Sequence, residues 1–108
     1  IAAVCDRDAI IAVHGVQKRE LLDKRCSQEL EQLMELRRGY RYQTGDLQLH
    51  PTDSADRYHI GAAAPITAEG DLMGCVLLLL EDGAPELGEG EQKLVQTVAG
   101  FLGRQMES

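Results

Sequence analysis

The sequence predicts a single α+β domain in which a central mixed or antiparallel sheet of about five to six strands is flanked by helices. Two short β-prone runs occur near the start of the chain, and a longer hairpin lies between residues 58 and 80. Hairpins at both ends of a sheet favour mixed or antiparallel pairing over a doubly wound parallel sheet. A chain of 108 residues is long enough for one hydrophobic core and too short for two.

The longer hairpin is the part of the chain on which the other elements are expected to pack. Residues 58–67 are mostly small or β-compatible, and residues 73–80 form a nearly unbroken apolar run. Between them Glu69, Gly70 and Asp71 supply a turn, because glycine tolerates a positive φ. The second arm has no polar alternation, so both of its faces should be covered and it should lie in the middle of the sheet.

The first elements of the chain are two strands and a short helix. Residues 1–5 and 9–14 are β-prone, and the two aspartates between these runs favour a tight turn. Residues 17–23 are rich in helix formers and predict a helix of one or two turns, with Leu21 and Leu22 directed inward.

A longer helix is predicted over residues 28–38. Ser27 is suited to cap its N-terminus, Glu29 favours the positive end of the helix dipole, and Gly39 should end the helix. Apolar positions three and four residues apart predict one buried stripe. The stripe comprises Leu30, Leu33, Met34 and the stem of Arg37.

The segment of residues 40–56 is the least patterned part of the chain. An alternating piece at residues 47–50 predicts an edge strand, and the polar cluster after Pro51 predicts a loop.

Residues 89–106 predict the last helix, with an apolar stripe wider than a helix covering one sheet requires. Two interpretations stay open: the helix only lies on its own sheet, or a helix of another chain also packs against it. In the second case the oligomer interface comprises Leu94, Val95, Val98, Ala99, Phe101, Leu102 and Met106.

Charge and cysteine content restrict the function classes. Eighteen acidic and eleven basic residues give a formal net charge of -7, which opposes direct contact with nucleic acid. Cys5, Cys26 and Cys75 lack disulfide or zinc spacing, so we expect packed free thiols in a reduced, cytoplasmic setting, with no metal and no cofactor. The sequence offers no phosphate-binding glycine motif and no catalytic set, so no enzymatic activity is expected. The sequence starts without a methionine or a leader, so we expect a domain excised from a longer protein. Its apolar runs are too short for a bilayer, so no membrane contact is expected.

A family resemblance covers nearly the whole chain except residues 37–57, and four stretches carry it: CDRDAIIAVHG at residues 5–15, KRELLDKRCSQELEQLM at residues 18–34, and GDLMGCVLLL and EQKLVQTVAGFLGRQME nearer the end. They resemble the C-terminal, GAF-type domain of AbrB-type transcription regulators from endospore-forming bacteria. The resemblance implies that residues 1–108 form a single GAF-like regulatory domain, with the DNA-binding N-terminal domain of the family absent from this chain. It also implies contacts between subunits through the helices, in a homodimer or tetramer.

The small residues 61–64 leave two interpretations open. They leave empty volume over the sheet for a small molecule, in a pocket between the sheet and the helix of residues 27–39 and roofed by the loop before Tyr58, or they only let a helix come close. If a pocket exists, we expect strand residues near this run to line it, with Arg7 or His59 as polar anchors. The predicted lining comprises Cys5, Arg7, Tyr58, His59, Ile60, Ala62, Ala64 and Cys75.

The predicted function is that of a non-enzymatic sensory and oligomerisation domain of a sporulation transcription regulator. It would bind an unidentified small molecule and modulate an attached DNA-binding domain. One alternative is a purely structural dimerisation domain without a ligand. Another is implied by GAF domains that reduce free methionine sulfoxide with pocket cysteines, although the scattered cysteines of this sequence do not favour such a thiol-dependent reductase.

Overall fold

One antiparallel sheet and three helices make up the described part of the chain. A computed structural model describes residues 1–15, 18–54 and 57–107. The strands are β1 (Ala2–Asp6), β2 (Ile10–His14), β3 (Tyr40–Arg41), β4 (Tyr58–Ala68) and β5 (Asp71–Glu81). The helices are α1 (Lys18–Leu21), α2 (Gln28–Glu35) and α3 (Glu89–Gln105). All neighbouring strands pair antiparallel, in the order β2-β1-β5-β4-β3.

The apolar strand β5 lies at the centre of this sheet, as its lack of polar alternation predicted. On one face Leu77 and Leu79 join a core that α1 and α2 cover, and on the other face Val76 joins a second core beneath α3. Both faces of β5 are therefore covered by helices, which is the reason that it can carry apolar residues at consecutive positions.

The β4–β5 turn forms where the sequence predicted it. Glu69 and Gly70 both adopt positive φ, at 53° and 86°. A two-residue hairpin loop with two positive φ values matches the right-handed twist of the flanking strands. Glycine adopts this conformation freely, whereas Glu69 pays a steric cost because its Cβ crowds the backbone.

The small residues of β4 bring α3 close to the sheet. Ala62 and Ala64 are buried in the core beneath α3, together with Val95 and Ala99. This arrangement favours the second interpretation of the small-residue run, namely close approach of a helix.

Two predictions about the segment around α2 are wrong. The helix ends at Glu35 rather than at residue 38, because Arg37 adopts a positive φ of 53° two residues before Gly39. Arg37 is exposed and donates through its guanidinium to the Gly70 carbonyl oxygen at 2.8 Å, so its stem is not part of the buried stripe. The other three residues of that stripe, Leu30, Leu33 and Met34, are buried as predicted.

The predicted edge strand at residues 47–50 is also wrong. The edge strand beside β4 is β3, which pairs with it through Tyr40 and Arg41. Residues 47–50 still run beside the sheet, since the Ile60 amide donates to the Leu49 carbonyl oxygen at 2.7 Å, but no ladder forms there in the described residues.

Of the two leucines predicted to point inward from the short helix, one is buried and the other is not. Leu21 is fully buried, whereas Leu22 is 38% exposed. The predicted first residue of this helix, Gln17, lies outside the described residues. Helix α1 ends at Leu21, and Leu22 lies in the turn that follows, so it is not on the buried side of the helix.

Candidate functional site

An apolar groove lies between α3 and the strands β1 and β2. Helix α3 packs mainly over β4 and less extensively over β5, so it leaves the same face of β1 and β2 uncovered. The groove has a volume of about 290 Å³. Its lining is apolar apart from His14 and comprises Ala2, Ala3, Val4, Ala12, Val13, His14, Val76, Leu78, Leu94, Val95 and Val98. We call it the α3 groove.

The predicted interface residues divide into three groups on α3. Val95 and Ala99 are buried against the sheet, and Val98 and Leu102 are half-buried beside them. The remaining three are exposed large apolar side chains, namely Leu94 at 55%, Phe101 at 54% and Met106 at 47%. Part of the wide stripe therefore packs on the domain's own sheet, and part of it is left in contact with solvent.

A second groove lies beside α2. It has a volume of about 400 Å³ and is lined by Glu29, Gln32, Leu33, Leu36, Leu47 and Leu49. Leu47 is 81% exposed and Leu36 is 55% exposed, so the groove is an open apolar surface with two polar groups at its rim. This α2 groove lies between the helix and the loop before Tyr58, whereas the sequence predicted a pocket between the helix and the sheet.

Ser27 connects the loop to the start of α2 and so holds one wall of the α2 groove. Its hydroxyl accepts from the Leu30 amide at 3.0 Å and donates to the His50 carbonyl oxygen at 2.6 Å. The Glu29 carboxylate accepts from the His50 amide at 2.9 Å. The predicted N-cap is confirmed, and it fixes the loop as well as the helix.

The eight residues predicted to line a pocket are dispersed over the domain. Cys5, Tyr58, Ile60 and Cys75 belong to the core under α1 and α2, whereas Ala62 and Ala64 face α3. Within the described part of the chain, the residues that line the two grooves include none of the eight. The prediction from sequence did not include the leucines of the α2 groove. Leu47, in a segment beside a helix that carries Leu36, was a signal of an apolar surface.

The two predicted polar anchors lie in different environments. Arg7 is exposed and pairs with Glu35 at 3.2 Å. His59 is 1% exposed, its ring contacts Tyr42 edge-on with centroids 4.7 Å apart, and its Nδ1 has no hydrogen-bond partner among the described residues. Burial lowers the pKa of His59 because the charged imidazolium loses its hydration.

The structure brings the three cysteines together, which their sequence spacing did not predict. Cys5 and Cys75 face each other across β1 and β5, and the Cys26 thiol donates to the Asp6 carbonyl oxygen at 3.7 Å. The Cys5 thiol donates to the Met34 thioether at 3.9 Å. All three cysteines are buried and belong to one core, and we call them the thiol cluster.

Contacts within the thiol cluster and burial disfavour ionisation of Cys5 and Cys26. A hydrogen bond from Cys26 favours the Cys5 thiolate, but the neighbouring Cys75 thiol and burial outweigh it and raise the pKa of Cys5 to about 12. The hydrogen bond to Cys5 and burial raise the pKa of Cys26. These thiols are therefore protonated at neutral pH and are weak nucleophiles.

Neither a metal centre nor a membrane span is found in the described residues. Across residues 1–15, 18–54 and 57–107, histidine, cysteine and acidic side chains form no group that could hold a metal ion. Of the helices in the same residues, none is both long and apolar enough to cross a bilayer.

Comparison with known proteins shows that this acidic domain with two apolar grooves belongs to a class of transcription factor domains. The family model described as "Stage V sporulation protein T C-terminal, transcription factor" matches residues 1–107. The chain belongs to this family, which confirms the predicted resemblance to the C-terminal domain of a sporulation transcription regulator; the GAF-type fold stays a prediction.

One curated relative is stage V sporulation protein T of Bacillus subtilis (strain 168). It is 39% identical over 107 residues, in an alignment that covers 96% of this chain and 57% of the relative. The chain thus spans little more than half the length of that protein.

Proposed function

We propose that this chain is a non-enzymatic, GAF-like regulatory domain of a sporulation transcription regulator, and that it acts by self-association through the α3 groove. Membership of a transcription factor family supports the regulatory role. The observation that carries self-association is the exposed apolar side of α3 beside an uncovered part of the sheet. Leu94 and Phe101 are each more than half exposed there, and exposed apolar side chains that lie side by side mark an interaction surface.

The spacing of these residues suits a helix as the partner. Leu94, Val98 and Phe101 are four and three residues apart, which places them on one side of α3. Such a stripe packs against an equivalent stripe of a second helix. Two copies of α3, related by a two-fold axis, would each cover the other's groove and so satisfy both surfaces with one interface.

Regulation would follow from the arrangement of subunits. A net charge of -7 opposes direct DNA contact by this domain, so an attached segment of the full protein would bind DNA. An association that holds two such segments in one relative orientation changes DNA affinity, because it favours one of two subunit arrangements.

The α2 groove is the proposed location for a small-molecule ligand. Its apolar wall of leucines, with Glu29 and Gln32 at the rim, has the mixture of apolar and polar groups that small-molecule sites use. Ligand binding there would act on the loop that Ser27 and Glu29 hold through His50. Without a ligand, the domain would serve only as a structural dimerisation module, which is the second candidate function.

The proposal is tested by sedimentation velocity of the purified domain and of Leu94→Glu. Leu94→Glu places a charge in the α3 groove, and an unpaired charge in an apolar interface costs about 3 kcal/mol or more, equivalent to a loss of affinity of roughly 100-fold. Leu47→Glu, a matched charge in the α2 groove, should leave association unchanged. A wild-type domain that stays monomeric, or equal dissociation by both variants, would contradict the proposal.

Native mass spectrometry separates the sensory role from the structural one. The intact assembly is first weighed gently and then under collisional activation. An additional mass that is released on activation, and that Leu47→Glu no longer retains, supports a ligand in the α2 groove. A dimer without additional mass after purification from cells favours the dimerisation module.

A further inference from the structure

We infer that Cys5 and Cys26 form a redox-sensitive pair, and that a two-electron thiol oxidant of the hydroperoxide class converts them to a disulfide that ties β1 to the connection between α1 and α2. This inference is independent of the proposed self-association, because it concerns the core on the opposite face of the sheet. It rests on the position of the three thiols and on the geometry of the β1–β5 pairing.

The connection that carries Cys26 is fixed beside the end of β1. The Cys26 amide donates to the Asp8 carbonyl oxygen at 2.8 Å, and its thiol donates to the Asp6 carbonyl oxygen at 3.7 Å. Asp6 is the residue that follows Cys5 along β1. Cys26 therefore reaches the neighbourhood of Cys5 from a segment that is neither strand nor helix and that can adjust its backbone to the narrow geometry of a disulfide.

Cys75 is a less suitable partner for Cys5, although the two face each other. The Leu79 amide donates to the Ile1 carbonyl oxygen at 2.8 Å, which makes Ile1 and Leu79 a hydrogen-bonded pair. The β1–β5 register is regular and alternates in type, so Cys5 and Cys75 form a hydrogen-bonded pair as well. Side chains of such pairs are farther apart than those of non-hydrogen-bonded pairs, so a disulfide between them would strain the ladder.

The oxidation is balanced with one equivalent of a hydroperoxide. Cys26 is the most exposed of the three residues, at 6%, and its sulfur attacks the terminal peroxide oxygen. The O–O bond breaks, the alcohol leaves with a proton, and a sulfenic acid forms. The Cys5 sulfur then attacks the sulfenic sulfur, the S–S bond forms, the S–O bond breaks, and water carries away the hydroxyl and the Cys5 proton.

The same environment makes the oxidation slow and its product stable. Protonated thiols attack an oxidant slowly. In strongly oxidising dithiol proteins, an acidic cysteine stabilises the reduced form as a thiolate. The raised pKa values of Cys5 and Cys26 mean that the reduced form of this pair gains no such stability. Once formed, the disulfide should therefore resist glutathione and yield to dithiothreitol.

The test is tryptic mapping of the folded, reduced domain after treatment with hydrogen peroxide, without reduction. Trypsin cleavage after Arg7, Arg25 and Arg37 places Cys5 in residues 1–7 and Cys26 in residues 26–37, while Cys75 lies in residues 58–93. We expect a linked pair of the first two peptides and an intact mass that is lower by two hydrogen atoms. The melting temperature should rise by roughly 10 °C, because the bond closes a loop of about 20 residues.

Two variants sharpen the result without being essential to it. Cys75→Ser should retain the linked pair, and Cys26→Ser should lose it. Three free thiols after oxidation of the folded wild-type domain would overturn the inference. A link that joins residues 1–7 to residues 58–93, a link between two chains only, or a link that forms only in urea would overturn it equally.

Discussion

Two glycine-to-alanine substitutions in α3 should change stability in opposite directions. Ala99 and Gly103 lie on the side of the helix that touches β4, whereas Gly100 is exposed. A Cβ at position 103 would lie well within 3.0 Å of the Thr67 carbonyl oxygen. A Cβ at position 100 would meet only the end of the Arg104 side chain, at 4.0 Å.

The magnitudes follow from helix propensity and from packing. Alanine in place of glycine stabilises a helix interior by about 1 kcal/mol at either position. At position 103 the new methyl group must displace α3 from a backbone oxygen that cannot move aside. Overpacking of this kind costs about 1–3 kcal/mol. The accompanying loss of contact by Val95 and Ala99 adds to this cost. We expect Gly100→Ala to stabilise by up to about 1 kcal/mol and Gly103→Ala to destabilise by about 1–2 kcal/mol.

Urea unfolding followed by circular dichroism measures both variants under the same conditions. The two midpoints should lie on opposite sides of the wild-type midpoint, and the melting temperatures should differ by roughly 10 °C, since about 1 kcal/mol corresponds to 4–8 °C in a domain of this size. Equal stabilisation by both substitutions would refute the close approach of α3 to β4. Equal destabilisation would refute the assignment of Gly100 to the exposed side.

Three further outcomes are expected. The pKa of His59 is lowered in the folded domain, so the unfolded chain binds more protons below about pH 6.5. The urea concentration at the unfolding midpoint should therefore be lower at pH 5.5 than at pH 7.5, and the difference should be smaller in His59→Phe. Glu69→Asn should raise the free energy of unfolding by about 0.5–1 kcal/mol, because asparagine tolerates the positive φ of the hairpin turn better, as thermal unfolding can measure. Ser27→Ala should lower it by about 1–2 kcal/mol, because α2 loses its cap and the His50 carbonyl oxygen loses a donor; Ser27→Thr, which keeps the hydroxyl, should restore most of the loss.

Much of the fold could be predicted because its signals are local. The β4–β5 hairpin is specified by two β-compatible runs and a turn that includes glycine, all within residues 58–80. The cap of α2 depends on Ser27 and residues a single turn away. The central position of β5 followed from its own composition, since only a strand covered on both faces can be apolar at every position.

The errors occurred where a local signal competed with a longer-range one. Gly39 is a strong helix terminator by composition, yet α2 ends earlier at a positive-φ arginine whose guanidinium binds the Gly70 carbonyl oxygen. The alternating residues 47–50 have the period of a strand and touch β4 through Leu49, but the ladder on that edge of β4 is formed by Tyr40 and Arg41. Periodicity describes which faces a segment can present and not which neighbour it pairs with.

The sequence by itself determined the class of domain, the family, the order of its main elements and the apolar sides of its helices, because these depend on residue type and on spacing within one element. Only the tertiary structure decided which of those sides are covered. It placed α3 over β4 and β5, which left the α3 groove open, and it gathered Cys5, Cys26 and Cys75 into one core. Grooves and clusters arise between segments that are distant along the chain, so their geometry depends on packing, which the spacing of residues does not encode.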